Sequence, residues 1–301
     1  MAYSVGGIID AADYNGFATT LNPGWGAGSS TTGYGQTPLL ATNLAAGQTV
    51  TEAQWDDLID KINRMSAHQT GSNALTAGSF AASSALPTAT SAASGLIAYS
   101  GSLQSSIAAV MGTQRLNAAS SGSSISSSGS RAGSASSWSQ SASFSFGSTD
   151  QARWFFNAGG VLKVQVSFSG GRDQNWSSIC SAMGTLYVNG TSGQTIAGTS
   201  YNGSGKVGGG GTGGCGYFQG GGQLYSGTGS GRYSSNRLTV SVSGNGGSSI
   251  TFSFSFVDGH TPFNGWSQDA VSGSTTVTAV AQMPSTSWLS ASWGSPSISV
   301  S

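Results

Sequence analysis

The sequence predicts a mainly β protein. Its C-terminal part reads as an antiparallel β-sandwich or jelly-roll-like domain, preceded by a small helical N-terminal module and an Ala/Ser-rich helical or linker segment. Three observations carry that expectation. Beyond Trp138, apolar residues recur at every second position. Before it, the few apolar stripes recur at helical spacings. Glycine and serine clusters punctuate the alternating runs at short intervals, as turns do in sandwiches and jelly rolls.

The strands come first, because they define the core. Leu162, Val164, Val166 and Phe168 alternate with Lys163, Gln165, Ser167 and Ser169. Ile250, Phe252, Phe254 and Phe256 alternate with Thr251, Ser253 and Ser255, and Leu238, Val240 and Val242 repeat the pattern. A period of two places one set on a buried face and the other in water. Phe144–Phe146, Thr185–Val188, Thr275–Ala281 and Ser297–Val300 are further candidates. A sandwich and a jelly roll are equal readings of this pattern.

Two helices are expected in residues 1–71. Tyr14, Phe17 and Leu21 share one face of a helix over Ile9–Leu21, with Asp10 as N-cap and Pro23-Gly24 as its breaker. The stretch from Trp25 through Gln36 reads as loop. Thr51-Glu52-Ala53-Gln54 has the form of a capping box. Trp55, Leu58, Ile59, Ile62 and Met65 then form a stripe for a core or a partner, and the helix should fray near His68-Gln69-Thr70-Gly71. In residues 72–137, Leu96, Leu103, Ile107 and Val110 suggest a helix around 91–112. Four anchors in so long a segment bury too little to fold alone, so they should pack against other copies or belong to a linker. Ser120–Ser137, almost all Ser, Gly and Ala, reads as a flexible joint. Residues 138–301 form the β-domain, and Asn202–Gly222 reads as a long glycine loop on it.

Composition narrows function. Only 7% of the 301 residues are charged and the formal net charge is zero, against about 25% charged in ordinary domains. Such a chain lacks the basic footprint that binds nucleic acid or anionic membranes. There are 48 glycines, where usage of about 7% would give about 21. Placed in regular elements, that excess would cost roughly 13–27 kcal/mol, more than a domain's net stability. Turns and loops, or association with other copies, must absorb it. Residues 1–12 lack the basic start and apolar run of a signal peptide, and no stretch reaches the roughly 20 apolar residues of a membrane span. Cys180 and Cys215 either form one bridge or stand as two thiols.

Motifs for catalysis are weak. Gly203-Ser-Gly205-Lys-Val-Gly208 matches a dinucleotide fingerprint in letters only, outside any strand–helix context. Gly205-Lys206 lacks the upstream glycine and following hydroxyl of a phosphate loop. His68 and His260 are the only histidines. His260, in Asp258-Gly259-His260-Thr261-Pro262, reads as a turn tip. Asp150, Asp173, Asp258 and Asp269 offer no defined acid pair, and no metal-ligand spacing exists. The expectation is therefore a non-enzyme without cofactor or metal. The aromatics read mostly as core, with Tyr201, Tyr217, Phe218 and Tyr225 as candidates for receptor contact from loops.

Two stretches resemble virion structural proteins of tailed bacteriophages, particularly phages of cyanobacteria and marine bacteria. The first comprises Ile9 with Asp13-Tyr14-Asn15, Trp25-Gly26-Ala27-Gly28, Gly33-Tyr34-Gly35-Gln36, and Trp55-Asp56-Asp57-Leu58 leading to His68-Gln69-Thr70-Gly71. The second is Ala152-Arg153-Trp154-Phe155-Phe156-Asn157-Ala158-Gly159-Gly160 and the strand after it. The resemblance covers about half the chain and brings no catalytic residues. It implies a subunit on the surface of a phage particle, assembled in the host cytoplasm.

Together these readings give a homo-oligomeric tail-fibre or appendage protein, most simply a trimer. It would attach to other tail or baseplate proteins through Trp25, Tyr34, Trp55, Leu58 and Ile62, and self-associate through Leu96, Leu103, Ile107 and Val110. Its β-domain would face a host cell-surface glycan or outer-membrane component, with no nucleic acid bound and no membrane insertion. A capsid decoration or head-fibre protein is the alternative, and a polysaccharide depolymerase the third reading.

Overall fold

The computed structural model describes residues 11–39, 43–75, 103–114, 116–133, 137–172, 174–202, 213–260 and 271–301. The fold is mainly β, with two five-stranded sheets and a smaller three-stranded one. Sheet I is ordered β13 (Ser297–Val300), β3 (Ser137–Ser145), β11 (Ser249–Val257), β10 (Arg237–Ser243), β9 (Gly222–Thr228). Sheet II is ordered β2 (Ser121–Ala132), β12 (Ser274–Pro284), β4 (Val161–Ser169), β5 (Leu186–Asn189), β8 (Gly213–Gly216). Neighbours in both sheets are antiparallel, apart from the parallel pair β5–β8. The third sheet joins β1 (Asn117–Ala118), β6 (Gln194–Ile196) and β7 (Thr199–Tyr201).

The winding is jelly-roll-like. β2 pairs with β12 in sheet II, while the next strand, β3, pairs with β11 in sheet I. These two antiparallel pairs alternate between sheets, as the outer turns of a rolled ribbon do, while β4 and β10 pair with strands of their own sheets. The alternation read from sequence fixes which side chains face inward. Sheet I contributes Trp138, Phe144, Phe252, Phe254 and Phe256, and sheet II contributes Val164, Val166, Val277, Ala279 and Ala281, all buried. Trp138 stacks on Phe256 with centroids 5.0 Å apart and planes 2° apart. Its Nε1 donates across the sandwich to Thr275 Oγ1 at 3.1 Å, and Thr275 Oγ1 donates to Gln140 Oε1 at 2.7 Å. Those buried polar groups are satisfied, so they can fix the register between sheets.

Five helices accompany the sheets in the described residues: α1 (Ala11–Trp25), α2 (Glu52–Thr70), α3 (residues 103–113), α4 (Thr149–Asn157) and α5 (Trp176–Met183). The start of α2 is the capping box: Gln54 N donates to Thr51 Oγ1 at 3.3 Å and Thr51 N donates to Gln54 Oε1 at 2.9 Å. Gly71, in the left-handed region, ends it by donating to Ala67 O.

Several expectations change. α1 runs through Pro23 to Trp25 rather than stopping before it. Gly26 N still reaches Asn22 O at 2.8 Å, and Trp25 Nε1 donates to Thr37 O at 2.6 Å, which holds the last turn shut. Ile9 and Asp10 lie outside the described residues, as does Leu96. The run read as a flexible joint contains β2, a regular strand whose hydroxyls pair with β12: Ser130 with Thr276 at 2.7 Å, Ser124 with Gln282 at 2.9 Å. Of the expected glycine loop, residues 203–212 lie outside the described residues, and the remainder is not loop throughout: residues 213–216 form strand β8 and β9 begins at Gly222.

The three expected regions share one hydrophobic core. The same buried cluster includes Tyr14 and Trp55, Leu103 and Val110, and Phe252 and Trp293. Leu103, Ile107 and Val110 are therefore covered by their own chain, which corrects the expectation that they need a neighbouring copy.

Candidate functional site

The residues of the two resembling stretches meet in space. Ala27 O accepts from Arg153 Nη2 at 2.7 Å and from Trp154 Nε1 at 2.8 Å. Gly33 O accepts from Asn157 Nδ2 at 2.8 Å. Gly35 lies so close to the Trp154 ring that a Cβ there would sit 2.3 Å from Cδ2, and its φ of 69° suits glycine. Gln36 exchanges two hydrogen bonds with the backbone of Ser290, at 2.9 and 2.8 Å. Ala119 N donates to His68 O at 2.7 Å. These contacts bind the helical part to the sandwich, which accounts for the motif residues as structural.

The attachment candidates belong to that junction. Trp25, Tyr34, Trp55, Leu58 and Ile62 are all buried. Trp55 packs against Tyr14 and Phe17, and Tyr34 lies edge-on to His68 at 5.4 Å. Their stripe faces the chain's own core, which corrects the expectation of an open surface for another protein.

Most of the receptor candidates are interior too. Tyr217 stacks on Phe156 at 4.4 Å and donates to Gly247 O at 3.0 Å, and burial pushes its hydroxyl up to about 12. Tyr225 is buried and donates to Ile179 O at 3.3 Å. Phe218 is half-buried, edge-on to Tyr217. The chain itself takes up most of the ring surface of Tyr217 and Tyr225 and both hydroxyls. Tyr201 is buried too, packed on Tyr187, but it reaches the lining of a surface hollow.

Groups with catalytic chemistry are dispersed. His68 is buried, and desolvation drives its pKa down to about 4 against a smaller opposing effect of the Ala158 backbone. His260 Nδ1 lies 2.9 Å from Arg232 O in a turn. Asp150 pairs with Arg153 at 2.8 Å. Asp173 and Asp269 lie outside the described residues. Cys180 and Cys215 are buried free thiols, and burial raises the pKa of Cys215 despite the Asn245 amide beside it. Among the described residues no cluster of three or more His, Cys, Asp or Glu could hold a metal, and no helix is long and apolar enough to cross a membrane.

The outer face of sheet II carries the surface site. Two hollows adjoin over β4 and β12 and share Gln165 and Thr278. One, of about 320 Å³, is bordered by Ser167, Ser181 and Thr276. The other, of about 380 Å³, is bordered by Lys163, Thr185, Tyr187, Thr199 and Tyr201. Both lie near the lower end of the roughly 300–1,000 Å³ of small-molecule sites. Tyr187 and Tyr201 meet edge to face at 5.0 Å, and Lys163 Nζ sits 5.8 Å from the Tyr201 ring centre. Tyr187 OH accepts from Asn202 N at 2.8 Å, and Gln165 Nε2 donates to Thr185 Oγ1 at 2.7 Å, so both side chains are held in place.

No family model, curated protein or solved structure matches this chain. The site therefore rests on its own geometry. Sequence reasoning selected Tyr201 and missed the rest. The signal was present in the wet half of one alternating strand: Lys163, Gln165 and Ser167 project from the same face of β4.

Proposed function

We propose that this chain is a structural, saccharide-binding subunit of a phage virion, of the tail-fibre or appendage type. The virion setting is supported by the resembling stretches. The binding role is supported by one observation above the others: two adjoining hollows over the central strands of sheet II, lined by hydroxyl, amide and tyrosine groups with a few valines, and by no carboxylate among the described residues. Neutral polar groups with a few aromatic faces suit sugars, whose hydroxyls need partners and whose C–H faces pack on rings. Hydrolysis of a glycosidic bond ordinarily needs two carboxyl groups across the scissile bond, and the described residues of this groove offer none.

Self-association belongs to the same proposal. With Leu103, Ile107 and Val110 covered internally, its best remaining support is β2, a twelve-residue strand at the edge of sheet II with a single charged side chain, Arg131. Long uncharged edges invite pairing.

The test combines the mass of the purified protein in solution with labelling of intact particles through a tag at Ser301. The expected outcome is an oligomer on the tail or baseplate, and purified protein in excess that slows adsorption of particles to the host. A label on the capsid with unchanged adsorption would favour the decoration reading. Release of reducing sugar from host envelope material would favour the depolymerase.

A further inference from the structure

We propose that the groove on sheet II selects an acidic saccharide, a uronic-acid-bearing glycan, with Lys163 taking the carboxylate. This deepens the saccharide-binding reading above and rests on it.

Lys163 is the single ionic group among the described residues of the groove lining. Among the described residues it has no carboxylate partner: the ion pairs there use Lys61, Arg64 and Arg153. A lone ammonium on a neutral polar surface, with one side against the Tyr201 ring, is a receptor for one negative charge. A carboxylate supplies one charge. A phosphate carries up to two, more than one ammonium balances, and the described lining adds no Arg fork or helix-end backbone N–H groups to share it.

The rest of the lining fits a sugar ring attached to that carboxylate. Thr199 and Thr278 carry hydroxyls with no side-chain hydrogen bond among the described residues, and Gln165 keeps its carbonyl oxygen and one N–H available beyond its bond to Thr185. Tyr187 and Tyr201 are largely buried and border the hollow with the little surface they leave exposed, beside Val164 and Val280. The second hollow continues past Gln165 and Thr278 toward Ser167 and Ser181, so a chain of more than one residue can follow the groove. An extended peptide is a poorer occupant. The floor is β4 and β12, central strands paired on both sides, which leave no edge for a further strand.

The experiment titrates the full-length protein calorimetrically with tri-galacturonate and, separately, with the neutral trisaccharide maltotriose. Tri-galacturonate should bind, and maltotriose should bind at least about tenfold more weakly. Lys163→Gln should weaken tri-galacturonate binding by about tenfold or more, and Lys163→Arg should retain most of it. Lys163 projects from an outer face, so both variants should keep the parent's thermal midpoint, which is measured alongside. No binding of tri-galacturonate, equal binding of both sugars, or an unchanged affinity in Lys163→Gln would each overturn the proposal. The readings fail separately: particle labelling tests virion placement without sugar, and the titration tests the groove without particles.

Discussion

On the outer face of sheet I, hydroxyls pair with hydroxyls. Ser141 meets Ser301 at 2.8 Å, Ser143 meets Thr251 at 2.9 Å, and Ser145 meets Ser249 at 3.3 Å. The outer face of sheet II begins the same way near its edge, where Ser130 meets Thr276. Over β4 the pattern changes, and Lys163, Gln165 and Thr278 border a hollow instead of one another. Both faces are polar and nearly uncharged. What separates them is whether the polar groups already satisfy each other. A face whose hydroxyls are mutually bonded gains little from a ligand, because each new bond replaces one already made. The inner faces differ as well, with most of the aromatic rings on sheet I and mostly aliphatic side chains, Phe168 apart, on sheet II.

That contrast can be broken from the inside first. Phe254→Ala, on the aromatic face, should cost about 3–5 kcal/mol, whereas Val277→Ala opposite should cost about 2 kcal/mol. Denaturant midpoints of the two variants measure the difference, and equal losses would mean the faces share the core evenly. Next, Gly35→Ala loosens the helical junction without touching either sheet. With a positive φ and the Trp154 ring in the way, the loss should be about 2–4 kcal/mol. Tryptophan fluorescence should report the displaced indole.

The third test is pH. His68 has a folded pKa lowered to about 4 from 6.5. Below 6.5 the unfolded chain takes up a proton that the folded chain refuses, so stability falls as pH drops from about 6.5 to about 4 and levels off below. The ceiling on this loss is about 3 kcal/mol. His68→Gln should flatten that part of the stability–pH curve, and an unchanged slope would place the acid sensitivity elsewhere. The smallest effect belongs to the paired hydroxyls of sheet I. Ser143→Ala combined with Thr251→Val should shift stability by no more than about 0.5 kcal/mol, because both partners leave together.

Sequence reasoning reached the strands that advertise themselves. β4, β10 and β11 carry large side chains at every second residue, so one residue type marks the buried face along the whole strand. β2 does not. Its inward positions are Ile125, Ser127, Gly129 and Arg131, and only its pairing with a distant strand makes it regular. β8 was hidden by its glycines. At Gly214 a Cβ would sit 2.2 Å from Tyr187 O, so that glycine permits close approach to β5 and not merely a turn. The groove was obscured for a similar reason. It is assembled from β4, β5, β7 and β12, and no single stretch of sequence displays it.

The partnership of β2 with β12 also governs how this molecule comes into being. Ser126 sits opposite Val280, so the first long strand made on the ribosome waits for nearly the last. β3 and β11 repeat the delay one layer in. Such high contact order places folding in the slow range, about milliseconds to seconds. Until β12 emerges, the phenylalanine-rich β11 has only part of its eventual cover, and a nascent chain in that state is a natural client for chaperones.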